Sequence, residues 1–478
     1  MSDGHGMTGS RTLRATALSG YRQAAVTVTP GARAVLIIAA LLIAVALAYQ
    51  ARRTSYDGVD HNWFAALALS GVFIARGLHL RRPVTLTHAT SAVLVLVIAH
   101  LAYRAEQPGP GFILLSAAGF VLVLPLSSRP QPEELARVAA LVGRTEGDPL
   151  APFALHSSKS YFFDASSTAA IGYRTRFGIA AVAGDPIGDR AAFPELITAF
   201  SAFAADRGWR VAVLGASPEL AALWRLRALG HRGLHAVPIG RDVVLDVDGF
   251  ALVGRKFRNL RQAVSRTKNF GVTTEVVYES ALTGARRREL LAIVDEWGQG
   301  RQNRGFSMIL DHLLDGRNPG MLVVIANHPE GRAAGFQRYG SSGHGRELSL
   351  DVPWRRKDAP NGLDERMILD LVDYAKAHDI HRISLAFAPF PELFAEKHRS
   401  RTAKLLFLVV HLCDPLIRLE SLYRFLRKFH ALSRPRYVLV RWREVVVAAA
   451  ALLTLEFAPH RREYSRGIPT ASGGASWN

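Results

Sequence analysis

Runs of apolar residues near the N-terminus constrain the fold of this chain more than any other feature. The first run, residues 34–49, approaches the length of about 20 residues that a membrane-spanning helix needs, and flanking residues can complete it. Further apolar runs follow at 63–75, 86–103 and 112–126. We therefore predict about four transmembrane helices within residues 31–128. A count of three is the alternative, because the second run is the weakest.

The arginines around these runs predict the orientation of the chain. Four arginines precede the first run and three lie in the second loop, against two in the first loop and one in the third. Because positive charge accumulates on the cytoplasmic side, we expect a multi-pass protein of the cell membrane with a cytoplasmic C-terminal region. Residues 1–30 and 461–478 are rich in small polar residues and lack periodicity, which predicts a disordered basic tail and a disordered C-terminal tail.

Charge and cysteine content narrow the classes of partner and site. The formal net charge of +19 indicates an anionic partner, either a nucleic acid or an acidic membrane surface. Cys413 is the single cysteine, which excludes a disulfide framework or a multi-cysteine metal site within one chain. We expect Cys413 to behave as a small buried hydrophobic residue.

Beyond the apolar runs, the pattern changes to alternating strands and helices. Residues 129–150 are predicted to form a linker helix. Residues 151–253 contain three strands, then helix, strand, helix and strand, and residues 271–460 repeat a similar order. This order resembles a GNAT-type acyltransferase fold. We therefore predict the α/β fold class, with N-terminal transmembrane helices followed by tandem GNAT-type acyltransferase folds.

The segment 347–390 carries the strongest chemical signal. Leucines alternate with polar residues before Asp351, which predicts a strand with Asp351 on the face opposite the leucines. Arg355, Arg356 and Lys357 follow, and then a turn at 360–362 precedes a helix. A helix N-terminus beside cations favours an anionic ligand. Local chemistry alone also allows a plain surface ion pair between Asp351 and Arg355.

A basic helix is predicted to connect the two halves, at residues 254–270. Its apolar face is formed by Phe257, Leu260 and Val264. Its cations are Arg255, Lys256, Arg258, Arg261, Arg266 and Lys268. No acidic residue within four positions compensates them, so we predict that they bind tRNA or lipid phosphates. A solvated surface helix is the alternative.

Three stretches resemble one known family. The run SLDVPWRRKDAPNGLDE followed by HRISLAFAPF resembles the catalytic region of the aminoacyl-phosphatidylglycerol synthases, the multiple peptide resistance factor family. The pattern K-x-x-N-L-R at 256–261 is similar to that family's connecting helix, and residues 423–440 resemble its closing helix and strand. The chain departs from the family pattern at 352–354, at Phe387 and at Leu426, where a lysine is expected.

The resemblance implies roles for several residues. Asp351 and Arg355 would be catalytic, with Asp351 orienting the donor's ammonium group or acting as a base, and Arg355 holding the lipid phosphate or the developing oxyanion. The residues implied to bind substrate are Arg356, Asn361, Lys428 and Arg436. Asp185, in the turn Gly184-Asp185-Pro186, is a further candidate.

The resemblance also implies an activity. We expect a membrane-anchored aminoacyltransferase that moves an aminoacyl group, lysyl in particular, from aminoacyl-tRNA to phosphatidylglycerol or a related anionic lipid. One alternative is a related acyltransferase with a different donor, and another is a non-catalytic protein that binds lipid or RNA. The departures at 352–354 and at Leu426 favour the non-catalytic alternative. The sequence leaves the oligomeric state open.

No cofactor or metal is expected. The sequence lacks the pyrophosphate loop of acyl-CoA enzymes, and Arg255 replaces the lysine that a P-loop would need. The motifs HExxH and GxSxG are absent as well. Moving an ester from one hydroxyl group to another is nearly balanced in free energy, so alignment, a base and oxyanion stabilisation suffice.

Overall fold

The computed structural model describes residues 13–17, 24–28, 30–54, 62–227, 234–298, 306–307, 309–318, 320–389 and 419–457. Within these residues the chain forms two compact units. Unit 1 contains Met1–Ser127 together with the short stretches Phe177–Ala180 and Ser201–Arg210. Unit 2 contains the remainder, which includes the whole C-terminal half of the chain.

Unit 1 is mainly helical. Its helices are α1 (Pro30–Thr54), α2 (Asn62–His79), α3 (Leu86–Arg104) and α4 (Pro108–Leu122). Helix α2 packs against α1 and α4, and α3 packs against α4. A small sheet joins β1 (Leu13–Ala17), β2 (Ala24–Val28) and β3 (Val84–Thr85) in that order. The structure thus differs from the predicted disordered tail at β1 and β2, where threonine and valine favour strands; the other residues of 1–29 lie outside the described residues.

Two helices of unit 1 are long and apolar enough to cross a membrane. They are Gly31–Tyr49 within α1 and Leu86–Arg104, which is α3. Helix α4 is apolar but shorter. The predicted count of about four spans and the multi-pass topology therefore remain predictions, and residues 461–478 lie outside the described part of the chain.

Unit 2 contains the elements of an α/β fold. Its first strands are β4 (Ser160–Phe163), β5 (Ala169–Arg176), β6 (Ile179–Ala183), β7 (Ile187–Gly188), β8 (Arg210–Ala216) and β9 (Leu234–Asp246). Its later strands are β10 (Thr273–Tyr278), β11 (Leu322–Asn327), β12 (Ala333–Ser342), β13 (Glu347–Arg355), β14 (Arg382–Pro389) and β15 (Leu432–Arg441). Its helices are α5 (Leu135–Arg144), α6 (Phe193–Asp206), α7 (Pro218–Arg227), α8 (Arg258–Asn269), α9 (Gly284–Gly298), α10 (Leu363–Ala377), α11 (Leu419–Leu426) and α12 (Val445–Phe457). Of these elements, the first two residues of β6, the first residue of β8 and the last six residues of α6 belong to unit 1. The predicted α/β fold class is confirmed.

One large sheet joins these strands in the order β10-β11-β12-β13-β14-β9-β15-β8-β6-β5-β4, with β7 paired to β5. Strand β15, the last in the chain, lies between β8 and β9 and pairs with both in antiparallel fashion. Strand β9 in turn pairs with β14. Pairing with β15 runs along β9 from Leu234 to Val243, so β9 is a long strand despite Pro238 and Gly240 within it.

The core beside α10 explains why that helix forms where it does. The turn that ends at Gly362 is followed directly by the helix, and Leu363 is buried at its first position. Met367, Ile368 and Leu371 are buried on one face of α10, as the spacing of apolar residues predicts. Helix α8 packs against α10 and buries Leu260 in the same core.

Strands β13 and β14 diverge, and this divergence creates the site. They pair in parallel only from Glu347 to Ser349, opposite Arg382 to Ser384. Beyond Ser349, β13 continues alongside β12 as far as Arg355, while β14 continues alongside β9. Two neighbouring strands that separate in this way leave a gap between them that side chains must line.

Candidate active site

A cavity of about 210 Å³ opens where β13 and β14 diverge. Its polar lining comes from Asp242, Gln337, Asp351, Asp364 and Ser384. Its apolar lining comes from Pro149, Leu150, Phe153, Leu350, Pro353, Leu385, Phe387, Leu422 and Phe425. Three carboxyl groups and two neutral polar side chains thus face a largely apolar space, a pattern typical of ligand pockets in which a few polar groups fix orientation.

Asp351, which the sequence analysis predicts to be catalytic, lies in this lining. Its side chain is buried, its Oδ1 accepts a hydrogen bond from the Leu310 amide at 2.8 Å, and its Oδ2 accepts one from Nη1 of Arg338 at 3.1 Å. Burial raises the pKa of Asp351 to about 6, although Arg338 and the Leu310 amide oppose that rise. A carboxyl group with this pKa can exchange a proton near neutral pH.

Arg338 holds Asp351 in place, a pairing that was not predicted from the sequence. The Arg338 side chain is fully buried in β12, and its Nε donates to Oε2 of Glu279 at 2.9 Å. Its Nη2 donates to the carbonyl oxygen of His312 at 3.1 Å. Burial raises the pKa of Glu279, and the Arg338 charge opposes this. The sequence signal for this pairing was the arginine in β12, because an arginine in a buried strand is rarely left unpaired.

Asp364 is the second carboxyl group of the lining. It lies in the first turn of α10, and its backbone carbonyl accepts a hydrogen bond from Nε2 of Gln337 at 3.2 Å. Burial raises the pKa of Asp364, while the Arg355 charge opposes the rise. Arg355 lies outside the cavity lining and is partly exposed, with its Nη1 3.8 Å from Oδ2 of Asp364.

Asp242 is the third carboxyl group, and Arg436 holds it. Arg436 is buried, and its Nε donates to Oδ2 of Asp242 at 2.8 Å. Its Nη2 donates to Oδ1 of Asp148 at 2.7 Å, and its Nη1 lies 3.5 Å from Oδ2 of Asp185. Burial lowers the pKa of Arg436, but these three carboxylates outweigh burial and raise it overall. Arg436 was predicted to bind substrate, but its described partners are groups of the protein itself.

The same cluster shifts the carboxyl groups around Arg436. Burial and the neighbouring Asp148 raise the pKa of Asp185 to about 7. Burial raises the pKa of Asp242 to about 6, and Arg436 opposes that rise. Asp185 was a sequence candidate, whereas Asp148 and Asp242 were missed, since neither lies in a recognisable motif.

The other residues predicted to bind substrate lie outside the lining of the cavity. Nζ of Lys428 donates to Oε1 of Glu365 at 2.7 Å. Arg356 donates to Glu296 and, through Nε, to the carbonyl oxygen of Ala333 at 2.8 Å. Asn361 is exposed in the turn before α10.

The basic residues of the predicted connecting helix are all exposed. The six are Arg255, Lys256, Arg258, Arg261, Arg266 and Lys268. The opposite side of α8 is buried through Leu260, Ala263 and Thr267. A Cβ atom on Gly362 would lie 3.0 Å from that of Ala263, so α8 abuts the turn that precedes Asp364. An exposed basic face thus lies next to an element that lines the cavity.

A second, smaller pocket adjoins the cavity. It has a volume of about 20 Å³ and shares Pro149, Asp242 and Ser384 with the cavity. Arg382 and Arg434 also line it. Glu347 lines this pocket too and pairs with Arg382 at 3.3 Å, and Glu219 lies 3.5 Å from Arg434. The two arginines beside the cavity therefore each have an acidic partner. Among the described residues, no group of three or more His, Cys, Asp or Glu side chains is arranged to hold a metal ion.

Known proteins resemble this chain in sequence and in fold. The family model described as phosphatidylglycerol lysyltransferase, C-terminal, matches residues 139–440. An MprF-like domain protein of Mycobacterium tuberculosis is 48% identical over 402 residues, which is 84% of this chain and 83% of that protein. The lysylphosphatidylglycerol biosynthesis bifunctional protein LysX of Nocardia farcinica is 33% identical over 320 residues, 65% of this chain but only 28% of LysX.

Solved structures share the fold of unit 2. The C-terminal domain of an Agrobacterium fabrum protein described as a lysylphosphatidylglycerol synthetase aligns with a TM-score of 0.59 at 24% identity, covering 69% of this chain and 98% of that one. The structure of L-PGS from Bacillus licheniformis aligns with a TM-score of 0.58 at 21% identity, covering 70% of this chain and 99% of that one. The family model spans more than half of the chain, so this protein belongs to the phosphatidylglycerol lysyltransferase family of membrane-associated lipid synthases.

Proposed function

We propose that this protein transfers an aminoacyl group, lysyl in particular, from aminoacyl-tRNA to a headgroup hydroxyl of phosphatidylglycerol or a related anionic lipid. Membership of the family supports lipid aminoacylation. The donor, the amino acid and the multi-pass topology with a cytoplasmic unit 2 are parts of the proposal. A cytoplasmic site is required if the donor is aminoacyl-tRNA, because tRNA is charged in the cytoplasm.

The observation that carries the proposal is the charge of the cavity. Asp242, Asp351 and Asp364 line a space that is otherwise largely apolar. A lysyl group brings an α-ammonium and an ε-ammonium on an apolar stem. Each of these carboxyl groups already has an arginine neighbour, yet burial still raises its pKa. A bound ammonium group would stabilise the ionised carboxylates further, so such a ligand complements this lining better than a neutral acyl chain does.

The two sides of the site support two different substrates. Arg382 and Arg434 lie beside the cavity and would contact phosphates at the acceptor end of a tRNA in competition with their acidic partners, Glu347 and Glu219. The cavity itself is bordered by Leu422 and Phe425, which suit a lipid chain or glycerol backbone. The exposed basic face of α8 would add phosphate contacts away from the reacting atoms.

The reaction needs one proton acceptor. The lipid hydroxyl oxygen attacks the carbonyl carbon of the aminoacyl ester, a new C–O bond forms, and the bond to the ribose oxygen breaks. Asp351 accepts the hydroxyl proton and then returns it to the leaving ribose oxygen, so the carboxylate is regenerated. Its pKa of about 6 suits both steps near neutral pH.

Neighbouring residues would position the carboxyl groups of the site. Arg338 fixes Asp351, and Arg436 fixes Asp242. Arg355 pairs with Asp364 at 3.8 Å, so we assign it the positioning of that carboxyl group in place of contact with the oxyanion. Gln337 and Ser384 are the neutral hydrogen-bonding groups of the lining.

A transfer assay tests the proposal. Membranes containing the protein are incubated with labelled lysyl-tRNA and phosphatidylglycerol, and the lipids are extracted and separated. Labelled lipid should form with the wild type and should disappear after Asp351→Asn or after ribonuclease treatment. Asp358→Asn is the matched control. Asp358 is an exposed aspartate on the loop after β13 and pairs with Arg332, so the substitution should leave the amount of product unchanged.

The other outcomes distinguish the alternatives. Product that persists after ribonuclease treatment would indicate a related acyltransferase with a different donor. Salt-sensitive binding of tRNA or lipid with no product for any amino acid would indicate a non-catalytic binding protein. Equal product from the wild type and from Asp351→Asn would remove Asp351 from the mechanism.

A further inference from the structure

Helix α12 is apolar around its whole circumference, although one side of it is exposed. Its sequence is VVVAAAALLTLEF, with Glu456 as the single charged residue. Glu456 is not part of a solvated face, because its Oε2 accepts hydrogen bonds from the amide and hydroxyl of Ser307 at 3.1 and 3.0 Å. Helices at a water-exposed surface normally place charged residues on their outer side. The outer side of α12 has no such charged residues.

One side of α12 packs on the sheet. Ala451, Leu452 and Leu455 are buried there, and Leu452 and Leu455 form a cluster with Ala181 and Phe306. Leu214 and Val438, from adjacent strands β8 and β15, complete the contact. The helix axis is therefore fixed along the sheet, and only its outer side is open to a partner.

The outer side is a continuous apolar strip. Trp442, just before the helix, is 63% exposed, Val446 is 79% exposed and Leu453 is 55% exposed. Ala449 and Ala450 are exposed between them. Residues 442, 446, 449, 450 and 453 follow helical spacing, so they form one face, called here the α12 strip.

Basic residues flank the strip in the sequence. Arg441 and Arg443 precede the helix, and Arg443 is exposed. Arg461 and Arg462 follow within five residues of its end. Arg441 lies 3.8 Å from Glu444, whereas Arg443 and Trp442 are exposed at the start of the helix. An apolar strip with an exposed tryptophan and an exposed arginine at one end is complementary to the interface of an anionic bilayer, where indoles and cations are favoured.

Length decides how the helix would meet the bilayer. Thirteen residues extend about 20 Å, which is less than the hydrocarbon thickness of about 30 Å. We propose that the α12 strip lies in the surface of an anionic lipid bilayer, so that unit 2 rests on the membrane through its own contact, separate from the transmembrane helices. This contact does not depend on the aminoacyl transfer proposed above.

Site-directed spin labelling of the full chain tests the proposal. In a Cys413→Ser background, single cysteines replace Val446 or Leu453, and the labelled protein is reconstituted in vesicles of phosphatidylglycerol and phosphatidylcholine. Leu226→Cys is the matched control, because Leu226 is 73% exposed at the end of another helix of unit 2, α7. Labels at 446 and 453 should lose accessibility to a water-soluble nickel chelate and gain accessibility to oxygen, whereas the label at 226 should stay accessible to nickel.

The refuting outcomes are distinct. Nickel accessibility at 446 equal to that at 226 would show that the strip faces water, and the proposal would be wrong. Dipolar coupling between labels at 446 in separate copies would show that a second copy covers the strip, which also overturns it. A photoreactive residue at 446 in the chain that retains Cys413 provides an independent measurement: phospholipid adducts are expected, and their absence counts against the bilayer contact.

Discussion

The raised pKa of Asp351 predicts that removing its charge changes stability in a pH-dependent way. The pKa rises from 3.8 to about 6 on folding, a difference of about 2 units that corresponds to about 3 kcal/mol. Below about pH 3 the carboxyl group is protonated in both states, so its ionisation does not affect stability. As pH rises through 4 to 6, the unfolded state releases its proton first, so stability falls and stays lower above pH 6.

Asp351→Asn removes this loss because the amide is neutral at every pH. The amide oxygen of the variant can still accept a hydrogen bond from the Leu310 amide. Its NH₂ group would face the Arg338 guanidinium, and because both groups are donors they cannot bond to each other. Arg338 keeps its bond to Glu279. The variant should therefore be less stable than the wild type at pH 4 and should gain about 3 kcal/mol relative to it by pH 7. At about 2 °C for each kcal/mol, the difference in Tm between variant and wild type should change by about 6 °C.

Thermal unfolding followed by tryptophan fluorescence, in detergent at pH 4 and pH 7, measures this change. Other carboxyl groups with raised pKa values, such as Asp185 and Asp242, affect both proteins equally and cancel in the difference. Asp358→Asn is the control and should show no gain at pH 7, because Arg332 lowers the pKa of Asp358. A difference between Asp351→Asn and wild type that is constant with pH would show that folding does not raise this pKa.

Three further predictions concern other parts of unit 2. Arg436→Leu would leave three buried aspartates without their cation, which should destabilise the protein by about 3–5 kcal/mol, seen as a large fall in Tm or in membrane yield; an unchanged Tm would contradict this. Lys256→Glu combined with Lys268→Glu should weaken tRNA binding and reduce the slope of log affinity against log salt by about 2, measured by filter binding, and an unchanged slope would remove α8 from the interface. Gly240→Ala would bring a Cβ atom into collision with the backbone carbonyl of Ala388 and with the ring of Phe387, which lines the cavity, so we expect a lower Tm together with a higher KM for lipid.

Local patterns were sufficient to predict much of unit 2. The alternation before Asp351, the turn ending at Gly362 and the apolar stripe of α10 each depend on residues close in the chain, and the structure has strand, turn and helix there. The exposed basic face of α8 follows in the same way from a stretch that lacks acidic residues.

Pairings between distant residues could not be predicted in this way. Arg338 meets Glu279 across 59 positions, and Arg436 meets Asp242 across 194, through the pairing of strands that the sequence does not specify. The sequence suggests that Arg356 is a free cation that could bind phosphate, but in the structure Glu296 on α9 pairs with it. Such partners become visible only when the order of strands in the sheet is known.

The position of β15 has a consequence for synthesis of the chain. This strand is made last but belongs between β8 and β9, which are made some 200 residues earlier. Until residue 441 has emerged, both earlier strands present open edges that invite wrong pairing. A premature stop codon shortly before Leu432 would therefore abolish folding of the whole of unit 2, and newly made chains would need protection until their final strand arrives.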